Sequence, residues 1–318
     1  ALWPSPWTGI MAALVSFIPA FLAYRFIEQP IRVSAVQSPR LILFAYLAVT
    51  AVIVAAAWSL VNLGSRLVPY ASTPSEPTIG IQSGCLLADR AFEESDIERC
   101  RFPVQDPRGW ILLTGDSHAE SFSNAVIEAG NDMGFDVVAL TGADCVLVRG
   151  NEANARVSNC AEMADALLDR ATGSNPPAAV VLAQRGIPVG MRDTFEELSA
   201  RGVPVLRIEG IPQWRPRDAK RGPDPCSGGV LNATCELPRD QIVSNAPARK
   251  SDEAGVIQGL PGVASLDPWP FFCSGAACSA VIGDRVAYSD ASHLNAWGSS
   301  QFREEIKSLV TDLTRKES

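Results

Sequence analysis

The stretch "GWILLTGDSHAESF", residues 109–122, decides the fold. It begins as an apolar run and ends on a polar knot, Gly115-Asp116-Ser117-His118, after which helical spacing sets in. A short continuous apolar run suits a strand buried on both faces. Asp and Ser start helices well, because their side chains accept from the free N–H groups of the first turn. A strand that passes through a glycine straight into a helix is the opening unit of a parallel α/β sheet.

The same alternation continues downstream. "SFSNAVIEAG" (121–130) has helical spacing, with Gly130-Asn131 reading as its C-cap. "FDVVALTG" (135–142) reads as a strand and "NCAEMADALLDRAT" (159–172) as a helix. "AAVVLAQ" (178–184) and "VPVLRIEG" (203–210) are strands, separated by a helix in "RDTFEELSARG" (192–202). Residues 212–240 break the rhythm as an irregular excursion. "VASLDPWP" (263–270) then supplies a last strand, and "NAWGSSQFREEIKSLVTDLTRK" (295–316) one long closing helix. The expectation is a doubly wound, flavodoxin-like parallel sheet with helices on both faces and the first strand lying between the second and third.

Upstream, the chain is of a different kind. "GIMAALVSFIPAFLA" (9–23), flanked by Trp3 and Trp7, and "LILFAYLAVTAVIVAAAWSLVNL" (41–63) are apolar. A membrane helix needs about 20 such residues, so two transmembrane helices are expected over residues 1–63. Arg25, Arg32 and Arg40 lie between them against Glu28 alone, which places that connection in the cytoplasm and everything after about residue 64 on the far side. Residues 64–84, rich in Pro, Ser and Gly, read as a tether or extended wrap, and 85–318 as the folded domain. The chain opens without an initiator methionine inside an apolar segment, which reads as a piece of a longer protein.

The eight cysteines support that placement independently. All lie outside the apolar segments, and no C-x-x-C pair suggests zinc. They fall as sequential neighbours, Cys85–Cys100, Cys145–Cys160, Cys226–Cys235 and Cys273–Cys278. Short loops close with least entropy loss, so these four disulfides are expected, in an oxidising compartment. A net charge of −8 with no basic run excludes a nucleic-acid partner.

The chain has only two histidines, His118 and His293. In open parallel sheets the site lies at the carboxyl ends of the strands, where Ser117 follows the first strand. A serine hydroxyl needs a base, and His293 in "YSDASHL" can serve, with Asp290 three residues earlier to orient its ring. The plainer readings are an Asp-Ser N-cap and a chance Asp-x-x-His. His118 adjoins the nucleophile in sequence and reads as structural or substrate-facing rather than as the base.

"GDSHAESF" together with "YSDASHL" resembles the first and fifth blocks of the SGNH hydrolase family. "YRFIEQPIR" (24–32) resembles the end of the membrane domain of acyltransferase family 3 proteins, to which periplasmic SGNH domains are fused in bacterial O-antigen and other polysaccharide O-acetyltransferases. The resemblance implies Ser117 as nucleophile, His293 as base and Asp290 as its partner. It also implies an acyl group, usually acetyl, delivered from acetyl-coenzyme A through a membrane acyltransferase domain of the same protein, most of which this chain lacks. No cofactor or metal is implied in the chain itself; the partners would be that domain, the lipid bilayer of the bacterial inner membrane and an envelope glycan acceptor. Gly142 fits the second-block oxyanion glycine. The third-block Gly-x-Asn-Asp is missing, since the third strand ends in "LAQRG", leaving Gln184 or Arg185 as the third oxyanion group. Three readings follow: an O-acyltransferase module, a carbohydrate esterase with the same triad, and a glycan-binding domain without catalysis.

Overall fold

Six strands form the central sheet: β1 (Arg101–Phe102), β2 (Trp110–Gly115), β3 (Asp136–Ala139), β4 (Ala179–Ala183), β5 (Val205–Ile208) and β6 (Val263–Leu266). This computed structural model describes residues 76–88, 90–150, 159–214, 235–243 and 255–315, with isolated positions between 17 and 59. The strand order is β1-β3-β2-β4-β5-β6. All neighbours run parallel except β1, which lies antiparallel on the edge against β3. Leaving that edge strand aside, the order is the flavodoxin-like one, and β2 lies between β3 and β4 as the sequence predicts.

Alternation along the buried strands sends neighbouring side chains to opposite faces. Ile111 and Leu113 pack with one apolar cluster, and Trp110 and Leu112 with the other. The first cluster is closed by α2 (Ser123–Asp132) and α6 (Arg303–Arg315), through Ala125, Val126, Ala129, Ile306, Val310 and Leu313. The second is closed by α3 (Cys160–Thr172) and α4 (Met191–Ala200), through Met163, Leu167, Leu168, Phe195 and Leu198. Each fully buried Leu, Ile or Phe contributes about 1.5–3 kcal/mol of transfer free energy. Helices therefore cover both faces, which leaves the strand ends open for a site.

Several expectations are corrected in detail. The closing helix is two helices, α5 (Ala296–Ser300) and α6, interrupted at Gln301 and Phe302. Phe302 is fully buried there, edge-on to Phe122 with ring centroids 5.1 Å apart. Gly130 is not a C-cap. The helix runs on to Asp132, and a Cβ at Gly130 would lie 2.4 Å from Val137 Cγ2, so that glycine lets α2 press onto β3. The last strand is short, and a helical turn, Trp269–Phe272, follows it. Thr141–Gly142 leaves the main sheet and pairs in parallel with Leu86–Leu87.

Three disulfides join Cys85–Cys100, Cys145–Cys160 and Cys273–Cys278, with Cα separations of 5.6, 5.7 and 3.9 Å. Cys235 is also disulfide-bonded, and its expected partner Cys226 lies outside the described residues. The sequential pairing thus holds wherever both cysteines are described, as an oxidising compartment would require.

Residues 1–66 separate from 67–318 as a second unit. The segments 9–23 and 41–63 lie largely outside the described residues. Their described positions are helical, with Phe17, Phe21, Phe44, Leu47, Val52, Val54 and Trp58 exposed. Among the described residues no helix is long and apolar enough to cross a membrane. Tyr24–Glu28 forms a π-helical turn, with Arg25 Nη1 donating to Gln29 Oε1 at 3.0 Å.

Candidate active site

The turn after β2 is built by two residues. Gly115 has φ +134°, and a Cβ there would fall 1.9 Å from the Ala183 carbonyl oxygen, so only glycine lets β2 and β4 close on each other. Asp116 then caps the short helix α1 (Ser117–Glu120): its Oδ1 accepts from the His118 N–H at 2.8 Å. Its Oδ2 accepts from the Arg185 N–H at 2.7 Å, which ties the end of β2 to the loop after β4. Burial raises the Asp116 carboxyl, against the pull of those two N–H groups. Ser117 is thereby held at the carboxyl edge, at the point where the strand order reverses.

The second half of the site comes from the loop before α5. Asn295 caps that helix by accepting from the Gly298 N–H at 2.8 Å, and its amide donates to the Val286 carbonyl at 2.8 Å. A bridge between Tyr288 and Leu294 closes the loop, and the Ser289 N–H donates to the His293 carbonyl at 2.9 Å. Asp290 Oδ1 accepts from the N–H groups of Ser292 at 2.7 Å and His293 at 2.9 Å. These bonds leave Asp290 Oδ2 facing the ring.

The two halves meet. His293 Nε2 lies 2.9 Å from Ser117 Oγ, and His293 Nδ1 lies 2.8 Å from Asp290 Oδ2. Burial pushes Asp290 up, but the hydrogen bond and charge of His293 and the two backbone N–H groups outweigh it and hold the carboxyl at about 2. An ionised Asp290 keeps the proton on Nδ1, so the Nε2 lone pair faces the serine. This arrangement can deprotonate Ser117 as it attacks an ester carbonyl and return the proton to the leaving oxygen.

Polar groups without a protein partner gather at this edge. Among the described residues, buried Thr114 Oγ1, His118 Nδ1 and both amide atoms of Gln184 make no hydrogen bond. His118 is buried, with its ring 5.1 Å from that of His293. Burial first, and then the charge of His293, hold its pKa at about 3, so it is neutral at ordinary pH. It is not the base. Gln184 is buried directly past β4, whereas Arg185 is exposed and its backbone N–H is taken by Asp116. Gly142 lies in the short strand beside α1. Its neighbours Thr141 and Ala143 donate to Cys85 and Leu87, so backbone alternation turns the Gly142 N–H to the opposite side.

Sequence reasoning missed Arg207. It is buried and donates to the carbonyls of Ile208 at 2.6 Å, Gln184 at 3.1 Å and Gly186 at 3.3 Å, bracing the loop after β4. A lone cation inside the apolar strand "VPVLRIEG" was the available signal, because an arginine is almost never buried without partners. An open cleft at the opposite end of β2, lined by Glu94, Arg101, Trp110, Asp169 and Arg170, presents only charges already paired within the protein.

Ser117, His293 and Asp290 thus lie in line at the carboxyl edge of the sheet, where open parallel sheets carry their sites. The sequence matches the family described as "SGNH domain (fused to AT3 domains)" over residues 84–308, and the chain belongs to that family. Among solved structures it is similar to the lipopolysaccharide acetyltransferase periplasmic domain of Salmonella ser. Paratyphi A. The identity is 13%, over 70% of this chain and 91% of that chain, with a TM-score of 0.48. No curated protein matches it.

Proposed function

We propose that this chain is a serine-dependent O-acyltransferase module that passes an acyl group, acetyl in the first instance, through Ser117 to a hydroxyl of a cell-envelope polysaccharide such as lipopolysaccharide. The aligned Ser117, His293 and Asp290, at 2.9 and 2.8 Å, carry the serine mechanism, and membership of a family of SGNH domains fused to AT3 domains favours transfer over hydrolysis. His293 takes the Ser117 proton as Oγ attacks the incoming acyl carbonyl, and returns it to the donor's leaving group. In the second half it deprotonates the sugar hydroxyl that attacks the acyl-serine, and returns that proton to Ser117 Oγ as its bond to the acyl carbon breaks. The Ser117 N–H has no intrahelical acceptor, as at the start of any helix. With the Gly142 N–H and the Gln184 amide it would receive the oxyanion.

Residues 1–63 are read as the last two helices of a membrane acyltransferase domain in the bacterial inner membrane, 64–84 as the periplasmic link and 85–318 as the catalytic domain. The arginines between the apolar segments and the disulfides support that placement. Acetyl-coenzyme A would donate its acyl group to that membrane domain.

The test is Ser117→Ala in cells, read as the acetyl content of the envelope polysaccharide. Loss of acetylation is expected. A rise in acetyl content would make the chain an esterase, and no change would leave a glycan-binding domain.

A further inference from the structure

The segment just before the first disulfide reaches both halves of the triad. Thr78 and Gly80 are buried, and Ile79 packs against the apolar cluster beneath α2. Three successive N–H groups at the start of the turn Ile79–Gln82 would have no acceptor within their own turn. Side chains of α1 and α2 supply the acceptors: Ile79 donates to Asn124 Oδ1 at 2.9 Å, Gly80 to Ser123 Oγ at 3.1 Å and Ile81 to Glu120 Oε1 at 3.1 Å. The Thr78 hydroxyl donates to the same Glu120 oxygen. Two residues before Thr78, the Glu76 carbonyl accepts from the Ala296 N–H at 3.0 Å. Ala296 opens α5, three residues after His293.

We infer that residues 76–82 are a clasp that holds the Ser117 helix in register with the His293 loop, with Glu120 as the positioning residue at its centre. The inference rests on the serine mechanism proposed above. Ser117 and His293 are 176 residues apart in the chain, and the distance that matters between them is one hydrogen bond of 2.9 Å. An error of about 1 Å in such an alignment can cost on the order of 100-fold in rate. The clasp bonds α1, α2 and the start of α5 to one short piece of backbone, so the two halves cannot drift separately while it is seated. Glu120 is almost fully buried. Without the clasp its carboxylate would lose the Thr78 hydroxyl and the Ile81 N–H, which gives the seated state a specific reason to persist.

The test uses the whole chain in detergent, with Glu120→Ala, Glu120→Gln and Thr78→Val. Three quantities are read: hydrogen exchange at the Ile79, Gly80 and Ile81 amides, the imidazole nitrogen signals of the two histidines, and kcat and KM for p-nitrophenyl acetate. Glu120→Ala should speed exchange at those amides at least about tenfold, shift the His293 ring signals and lower kcat about tenfold with KM nearly unchanged. Glu120→Gln keeps an acceptor oxygen and should stay within about threefold of the parent in kcat. Thr78→Val should fall between them. Released amides with unmoved His293 signals would reduce the clasp to a stabilising contact and overturn the inference. So would amides that stay protected in Glu120→Ala. If the parent and Ser117→Ala turn over the ester equally while the His293 signals still respond to Glu120→Ala, the serine mechanism fails and the clasp stands.

Discussion

His118 is buried beside Ser117 with its Nδ1 unpartnered among the described residues, and that makes the fold acid-sensitive in a measurable way. Its pKa falls from 6.5 to about 3, chiefly through burial. Above pH 6.5 both folded and unfolded chains carry it neutral. Between 6.5 and about 3 only the unfolded chain takes up the proton, so stability is lost as the pH falls through that window. At pH 4.5, two units below the unfolded value, the loss is about 3 kcal/mol, at roughly 1.4 kcal/mol per unit. Asp116 and Glu120 are raised by burial and act in the opposite direction, while Asp96 and Asp290, both held at about 2, matter only in stronger acid. All four remain in a His118→Leu variant and cancel in the comparison. Urea unfolding of both proteins at pH 7.5 and 4.5 is the assay. Going from the higher to the lower pH, the variant should gain on the parent by about 2–3 kcal/mol. Equal pH slopes for the two would refute the reasoning, because they would mean that His118 takes up its proton in the folded state.

Gly115→Ala would place a Cβ 1.9 Å from the Ala183 carbonyl at φ +134°, and should cost about 3 kcal/mol or more, read as a lower urea midpoint. A variant as stable as the parent would show that β2 and β4 can part at no cost. Gln184→Ala should lower turnover about 100-fold or more, while Arg185→Ala costs less than about tenfold. The reverse pattern would move the third oxyanion group to the Arg185 guanidinium.

The site was legible in the sequence because its chemistry is local at each end. Gly115, Asp116 and Ser117 make a strand end, a turn and a helix start, all within reach of short-range rules. Asp290 and His293 share one loop, and of the chain's two histidines it is His293 whose ring meets Ser117. The sheet order followed from the alternation of strands and helices. What the sequence hid is long-range or sub-periodic. The edge strand Arg101–Phe102 is two residues long, and the pairing of Leu86–Leu87 with Thr141–Gly142 spans the first disulfide. The break at Gln301 and Phe302 follows the weak helix formers Gly298, Ser299 and Ser300, which the apolar period passes over, and Phe302 is buried there against Phe122.

Residues 76–82 were hidden for a related reason. Thr78, Gly80 and Glu120 carry no apolar period, and a Pro- and Ser-rich composition is that of a linker. Their contacts are polar, specific and formed across some 40 residues of chain, as between Thr78 and Glu120 or Gly80 and Ser123. Composition can say that such a segment lacks a core of its own. It cannot say whether the segment lends its backbone to another element's polar side chains. Here three N–H groups and one hydroxyl do so, onto α1, which Ser117 opens, and α2. A folded domain that begins at the first cysteine would therefore leave Glu120, Ser123 and Asn124 without those donors. On this argument the folded domain begins at about residue 76, inside what composition alone assigns to the tether.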